Sequence, residues 1–174
     1  MWKAKSKTKE PEDKNKAYEY AVFLLSLHLR TVGEVREKMQ GRGYVPGIID
    51  AVITELIQQK FLDDQRYAEV FLENLKSYKT LGYFGIKKKM MAKKLPNTLI
   101  EQLMSEHLTE EEELVIVIRL LKKDGTEVVT EDLVEIDEPH YTSYDENTNR
   151  SKQKILQKLK SRGFRGSVIA RLKI

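Results

Sequence analysis

The stretch KMQGRGYVPGIIDAV at residues 38–52 returns, altered in detail but not in plan, as KLKSRGFRGSVIARL at residues 158–172. At the offset of 120 that superposes them, Val35 meets Ile155, Met39 meets Leu159, Arg42 meets Arg162, Gly43 meets Gly163, Tyr44 meets Phe164, Ile48 meets Val168, Ile49 meets Ile169 and Val52 meets Leu172. A third copy, KMMAKKLPNTLIEQL at residues 89–103, lies at an offset of 51. It sets Ile86, Met90, Lys93, Leu95, Leu99, Ile100 and Leu103 at the same places, with Lys94 standing where the other copies carry glycine. Internal recurrence of this kind is the mark of a repeat architecture.

Each position in the phrase has a physical task. Val32, Val35 and Met39 recur at three and four residues, so they form one apolar stripe of a helix while the intervening Lys and Arg side chains point outward. Gly43 follows as the residue best able to adopt the left-handed conformation that ends a helix. Pro46 suits the first turn of a second helix, where a missing N–H does no harm. Ile48, Ile49, Val52, Ile53 and Leu56 keep helical spacing and predict that helix's buried face. The phrase is a helix-turn-helix corner.

A longer apolar helix is expected ahead of each corner: AYEYAVFLLSLHL at 17–29, RYAEVFLENLKSY at 66–78 and ELVIVIRLLKK at 113–123. Asp63 and Asp64 are suited to open the second, and Thr109 with the glutamates after it to open the third. Three helices of about 45 residues in all make a unit that must stack on neighbours to bury its faces. The expected fold is therefore all-α: three tandem three-helix repeats stacked into an elongated curved array, with an acidic loop insertion in the third. The boundaries read as a disordered basic arm over 1–16, then repeats over 17–61, 62–108 and 109–174.

The third corner follows the second by 69 residues rather than 51, and the excess falls in an acidic stretch at about 124–149. Asp124-Gly125 sits between β-branched runs, so VIVIRLLKKDGTEVV also reads as a hairpin. Helix followed by loop is preferred, because the other repeats need a helix there. Any strand should be confined to residues 114–136.

Composition narrows the chemistry. The chain of 174 residues has no cysteine, which removes disulfides and thiolate zinc sites and agrees with a reducing cytoplasm. No apolar run approaches the ~18 residues that span a bilayer, and the N-terminus lacks a signal-peptide core. A soluble, cytoplasmic, monomeric protein without membrane contact is expected. His28 reads as a core or boundary histidine within an apolar helix, and His107 and His140 have no partners at metal-ligand spacing. Glu110, Glu111, Glu112 and Glu113 suit the positive end of a helix dipole. Phe71, Tyr83, Phe84, Met90 and Met91 read as core. Phosphate-binding glycine loops and nucleophile elbows are missing from the sequence, so neither catalytic residues, cofactor nor metal are expected.

The net charge of +4 hides a segregation: residues 109–149 hold three basic side chains against thirteen acidic, while 150–174 hold nine basic and none acidic. Basic residues cluster at all three corners. They are Arg36, Lys38 and Arg42 at the first; Lys87, Lys88, Lys89, Lys93 and Lys94 at the second; and Lys152, Lys154, Lys158, Lys160, Arg162, Arg165 and Arg171 at the third. Helical phase turns Lys88, Lys89 and Lys93 away from the core. Such clusters either neutralise the phosphates of a polyanion or simply solvate helix faces.

The three-helix repeats, the junction FLDDQRYAEVF at 61–71 and the corners of form basic-apolar-x-x-basic-Gly-aromatic resemble the RecX family of bacterial recombination regulators, over residues 17–174. The resemblance implies a non-enzymatic modulator that binds the RecA recombinase filament on single-stranded DNA. It further implies that the protein lies in the filament groove and inhibits filament extension, ATP hydrolysis and strand exchange, with direct contacts to single- or double-stranded DNA through phosphates. The basic residues of the corners are then the expected contact set. An autonomous nucleic-acid-binding repeat protein is the second reading, and an adaptor that touches no nucleic acid the third.

Overall fold

In a computed structural model the chain is described at residues 7–125, 129–130 and 146–173. It divides into two compact units, Met1–Val70 with Met90–Ile100, and Phe71–Lys89 with Glu101–Ile174. Nearly all regular structure is helical, which makes the fold all-α.

The first unit is built on three helices: α1 (Lys14–Leu27), α2 (Val32–Arg42) and α3 (Pro46–Gln58). Asp13 caps α1 by accepting from the Lys16 N–H. Thr31 and Glu34 cap α2 reciprocally, each side chain taking the other's backbone N–H. Gly43, at φ 97°, ends α2 with its N–H bonded back to Met39 and Gln40 carbonyls, and Pro46 opens α3. The two periodicities then meet: Ala17, Ala21, Val35, Met39, Tyr44, Ile49, Val52, Ile53, Leu56 and Leu62 form one core, with Val32 and Ile48 partly buried against it. Each large apolar side chain buried there contributes roughly 1.5–3 kcal/mol. Lys14 pairs with Glu55 at 2.8 Å and the Tyr18 hydroxyl donates to Gln59, so α1 and α3 lie side by side with the same sense along this contact.

The helix α4 (Asp64–Asn74) follows, and a π-helical turn over Leu75–Lys79 continues it. Then come α5 (Tyr83–Ala92), α6 (Asn97–His107) and α7 (Glu110–Lys123). The second unit completes itself with β1 (Val129–Thr130), α8 (Glu146–Ser161), α9 (Gly166–Ala170) and β2 (Leu172–Lys173). Its core takes Leu72, Leu75 and Ile86, eight apolar positions from Leu103 through Leu121, and Leu159, Phe164, Val168 and Ile169, all below a tenth exposed.

All three corners keep one backbone plan. Gly43, Lys94 and Gly163 lie at φ 97°, 59° and 79°. Lys94 holds the left-handed conformation without the freedom of glycine, because the corner needs it there whatever the side chain.

Several expectations change. Residues 7–13 lie on the first corner and α1 begins at Lys14, so residues 7–16 are not a disordered arm; residues 1–6 lie outside the described set. Residues 114–123 are helical, as the preferred reading had it, and Gly125 at φ 73° ends the turn after α7, so the alternative hairpin about Asp124-Gly125 does not form. Of the expected insertion, 126–128 and 131–145 lie outside the described residues, 129–130 form β1, and α8 begins inside it at Glu146. Strand is also not confined to 114–136, since β1 pairs antiparallel with β2, Val129 opposite Lys173 and Thr130 opposite Leu172. The cause is legible: the counterpart of Ile53 is Lys173, so the apolar period stops and α9 ends early. Phe84 and Met91 are 57% and 49% exposed, on the α5 side away from Ile86 and Met90. His28 stands exposed just past the end of α1 rather than inside it.

Candidate interaction surface

The corner carbonyls set the geometry first. The Thr31 hydroxyl donates to the Lys93 carbonyl at 2.5 Å while accepting from the Glu34 N–H at 3.1 Å, so one buried side chain both caps α2 and docks the second corner on it. A Cβ on Gly33 would overlap Lys94, which explains the small residue in the first turn of α2. At the third corner the Arg162 carbonyl accepts from Gly82 N–H at 3.2 Å and that of Gly163 from Phe84 N–H at 2.8 Å. Residues 31 and 82 are related by the repeat offset of 51, so one joint has been built twice.

That geometry sorts the basic residues into two groups. In the first, the cation already meets a partner within the chain. Arg36 reaches Asp50 at 2.5 Å, Lys93 reaches Glu34 at 3.1 Å and Lys94 reaches Glu37 at 3.7 Å. Lys87 bonds Glu101, and Lys158 bonds Asp124. Arg42 lies over the Tyr20 ring at 5.6 Å. Arg162 spends its guanidinium on the carbonyls of Lys79 and Thr80 and on the Thr80 hydroxyl, at 3.0–3.3 Å. Arg171 stands 3.6 Å from Glu111. Burial opposes the charge on Lys93, yet its bonds to Glu34 and Tyr67 outweigh this and raise its pKa. The bond to Glu101 raises the Lys87 pKa and lowers that of Glu101. Lys93, expected to project into solvent, is in fact half-buried and paired.

The second group faces water. Lys38, Lys88, Lys89, Lys152, Lys154 and Lys160 are exposed and carry no ion pair to any described residue. Lys88 and Lys89 are adjacent on α5; Lys152, Lys154 and Lys160 lie along α8.

Two acidic residues do more than the helix-start roles that the sequence assigns them. Glu113, wholly buried, accepts at Oε1 from the backbone N–H groups of Tyr83 and Arg165, both at 2.9 Å, and at Oε2 from Arg165 Nε at 2.5 Å. The Arg165 guanidinium also sits 4.9 Å from the Tyr83 ring centroid and donates to the Leu108 carbonyl. Asp64 accepts from the Val32 N–H at 2.8 Å, capping α2 from another helix, while Asp63 caps α4 locally. Burial raises the Asp64 pKa above 3.8 against the opposing effect of that bond. Val32 and Tyr83 are again 51 apart, so the starts of α2 and α5 are both capped by an acid roughly thirty residues downstream. That spacing was the available signal. The neighbouring glutamates are also committed beyond the helix dipole: Ser167 donates to Glu110, and Lys76 pairs with Glu112 at 3.0 Å.

Among the described residues no group of His, Asp and Glu is arranged to hold a metal ion. His107 is exposed at the end of α6, and His140 lies outside the described residues. No described helix is long and apolar enough to cross a membrane.

A family model described as "RecX, first three-helix domain" matches residues 17–56. The regulatory protein RecX of Leuconostoc mesenteroides is 31% identical over 149 residues, covering 86% of this chain and 50% of that protein. Its namesake in Geobacillus kaustophilus is 24% identical over 159 residues, covering 91% and 53%. The chain therefore spans about half the length of these relatives. In fold, it resembles the crystal structure of RecX from Lactobacillus salivarius with a TM-score of 0.69 at 24% identity, over 90% of this chain and 92% of that one.

Proposed function

The chain belongs to the RecX family, and from that premise we propose that it regulates the RecA recombinase by binding its filament on single-stranded DNA. Binding inhibits filament extension, ATP hydrolysis and strand exchange. The observation that carries the reading is the exposed lysine set of Lys88, Lys89, Lys152, Lys154 and Lys160, whose charge is not spent on described acids. Such cations neutralise phosphates and release counterions without reading sequence, which suits a partner assembled on DNA. The organisation proposed for this role is three repeats at 17–61, 62–108 and 109–174, acting as a monomer in the cytoplasm without catalysis.

The test separates a filament regulator from the second reading, an autonomous nucleic-acid binder. Contacts repeated along an assembly act through high effective concentration, so few copies suffice. Recombinase ATP hydrolysis on single-stranded DNA should fall at amounts of this protein well below those that coat the naked strand. Its inhibition should also depend less steeply on salt than its binding to bare DNA. Inhibition only at coating amounts, with equal salt slopes, would favour the plain DNA binder.

A further inference from the structure

We propose that residues 7–13 are a built-in cap, occupying at the first corner the joint that a helix N-terminus occupies at the other two. The proposal is independent of the recombinase reading and stands on a threefold correspondence. The carbonyl of residue 93 is bonded by Thr31 and that of residue 162 by Gly82, each immediately ahead of a second helix. At the equivalent place the Arg42 carbonyl accepts from the Thr8 N–H at 2.8 Å. The left-handed residue of the corner is also covered, by close packing at the second and third corners and by ordinary van der Waals contact at the first. Lys94 packs on Gly33, Gly163 on Gly85, and the Lys7 side chain lies 3.6 Å from the point where a Cβ on Gly43 would stand.

The segment also copies the chemistry of a helix start without forming a helix. The Thr8 hydroxyl accepts from the Glu10 N–H at 3.2 Å, as the Thr31 hydroxyl does from Glu34. The Pro11 carbonyl then receives the Val45 N–H at 3.1 Å, which satisfies the residue that precedes α3. Lys16 closes the turn by pairing with Glu10. The outward side chains are Lys7, Lys9, Glu10 and Glu12, all exposed. A joint that no helix N-terminus fills needs a polar face, because a bare joint presents unpaired carbonyls and apolar edges to any matching surface. Residues 7–13 supply that face from the chain itself.

The Val45 amide reports the cap directly, since its bond goes to Pro11 and not to a helix neighbour. Thr8→Pro removes the N–H that reaches Arg42, whereas Thr8→Ala keeps it. In the full chain, T8P should speed hydrogen exchange at Val45 on the order of fivefold, and T8A should change it less than about twofold. A chain lacking residues 1–12 should match T8P, and a synthetic peptide of residues 7–13 should restore protection in trans. Should the truncated chain not fold, the T8P and T8A pair decides alone. Val45 exchange equal in wild type and T8P, or equally fast in T8P and T8A, overturns the proposal.

Discussion

Glu113 holds Arg165 twice, by its backbone N–H at 2.9 Å and by its guanidinium Nε at 2.5 Å, and through the same carboxylate it caps α5 at Tyr83. Arg165 sits in a cluster that looks, in sequence, like part of a polyanion surface. In the folded chain its charge is committed to a buried acid.

Removing that acid should be among the costliest single changes. Glu113→Ala leaves a part-buried arginine and two backbone N–H groups without their acceptor, and breaking a buried pair costs about 3–5 kcal/mol. Urea unfolding should show a loss of at least about 3 kcal/mol. A loss under about 1 kcal/mol would mean that water replaces the carboxylate and the clamp is dispensable.

Lys94 offers the opposite case. Its left-handed backbone costs an L-residue about 1–2 kcal/mol, and its exposed contact with Glu37 returns little. Lys94→Gly should raise stability by about 0.5–1 kcal/mol once the greater freedom of the unfolded glycine is offset. Gly43→Ala should lower stability by about 1–2 kcal/mol for the same reason in reverse. Thermal unfolding of the two variants would show opposite shifts in Tm.

Thr31 uses its hydroxyl as acceptor and donor at once, so Thr31→Val and Thr31→Ser divide the two contributions of shape and bonding. Serine keeps both bonds and should stay within about 1 kcal/mol of wild type, whereas valine should cost about 2 kcal/mol by losing the α2 cap and orphaning the Lys93 carbonyl. Equal denaturation midpoints for the two variants would contradict this.

Asp64 carries a pH dependence of defined sign. Burial raises its folded pKa above the ordinary 3.8, so the folded chain holds this proton more tightly than the unfolded chain. Its contribution to stability is then greatest below pH 3.8 and declines as pH rises through the folded pKa, after which it is flat. Asp64→Asn accepts the Val32 N–H without titrating. The stability of wild type minus that of D64N should therefore fall between pH 3 and neutrality, as read from paired urea titrations, and a difference that rises would reverse the assignment.

The basic residues separate by consequence. Lys88→Glu with Lys89→Glu, and Lys152→Glu with Lys154→Glu and Lys160→Glu, should leave folding within about 0.5 kcal/mol per site while weakening inhibition of recombinase ATP hydrolysis. Lys93→Glu should instead lower stability by about 1 kcal/mol through its lost pair with Glu34. Full inhibition by both sets of surface variants would show that these lysines only solvate their helices.

What the sequence by itself determined is local or periodic. Val35 and Met39, and Ile49 and Leu56, recur at the spacing of one helix face, and they and their copies at 86, 90, 100, 159 and 169 are buried. Gly43, Pro46 and Thr109 announce turns and caps through conformational preference and short-range hydrogen bonds. The tertiary structure alone decided which charges are braces and which are surface. Glu113 and Arg165 are 52 residues apart, Lys93 and Glu34 are 59 apart, and a net charge or a cluster of lysines is the same string whether the ammonium meets a carboxylate or water. The seating of residues 7–13 on the first corner and the pairing of β1 with β2 belong to that second class as well. In each, a backbone group finds its partner only after the repeats have folded, so proximity in space carries information that spacing along the chain does not.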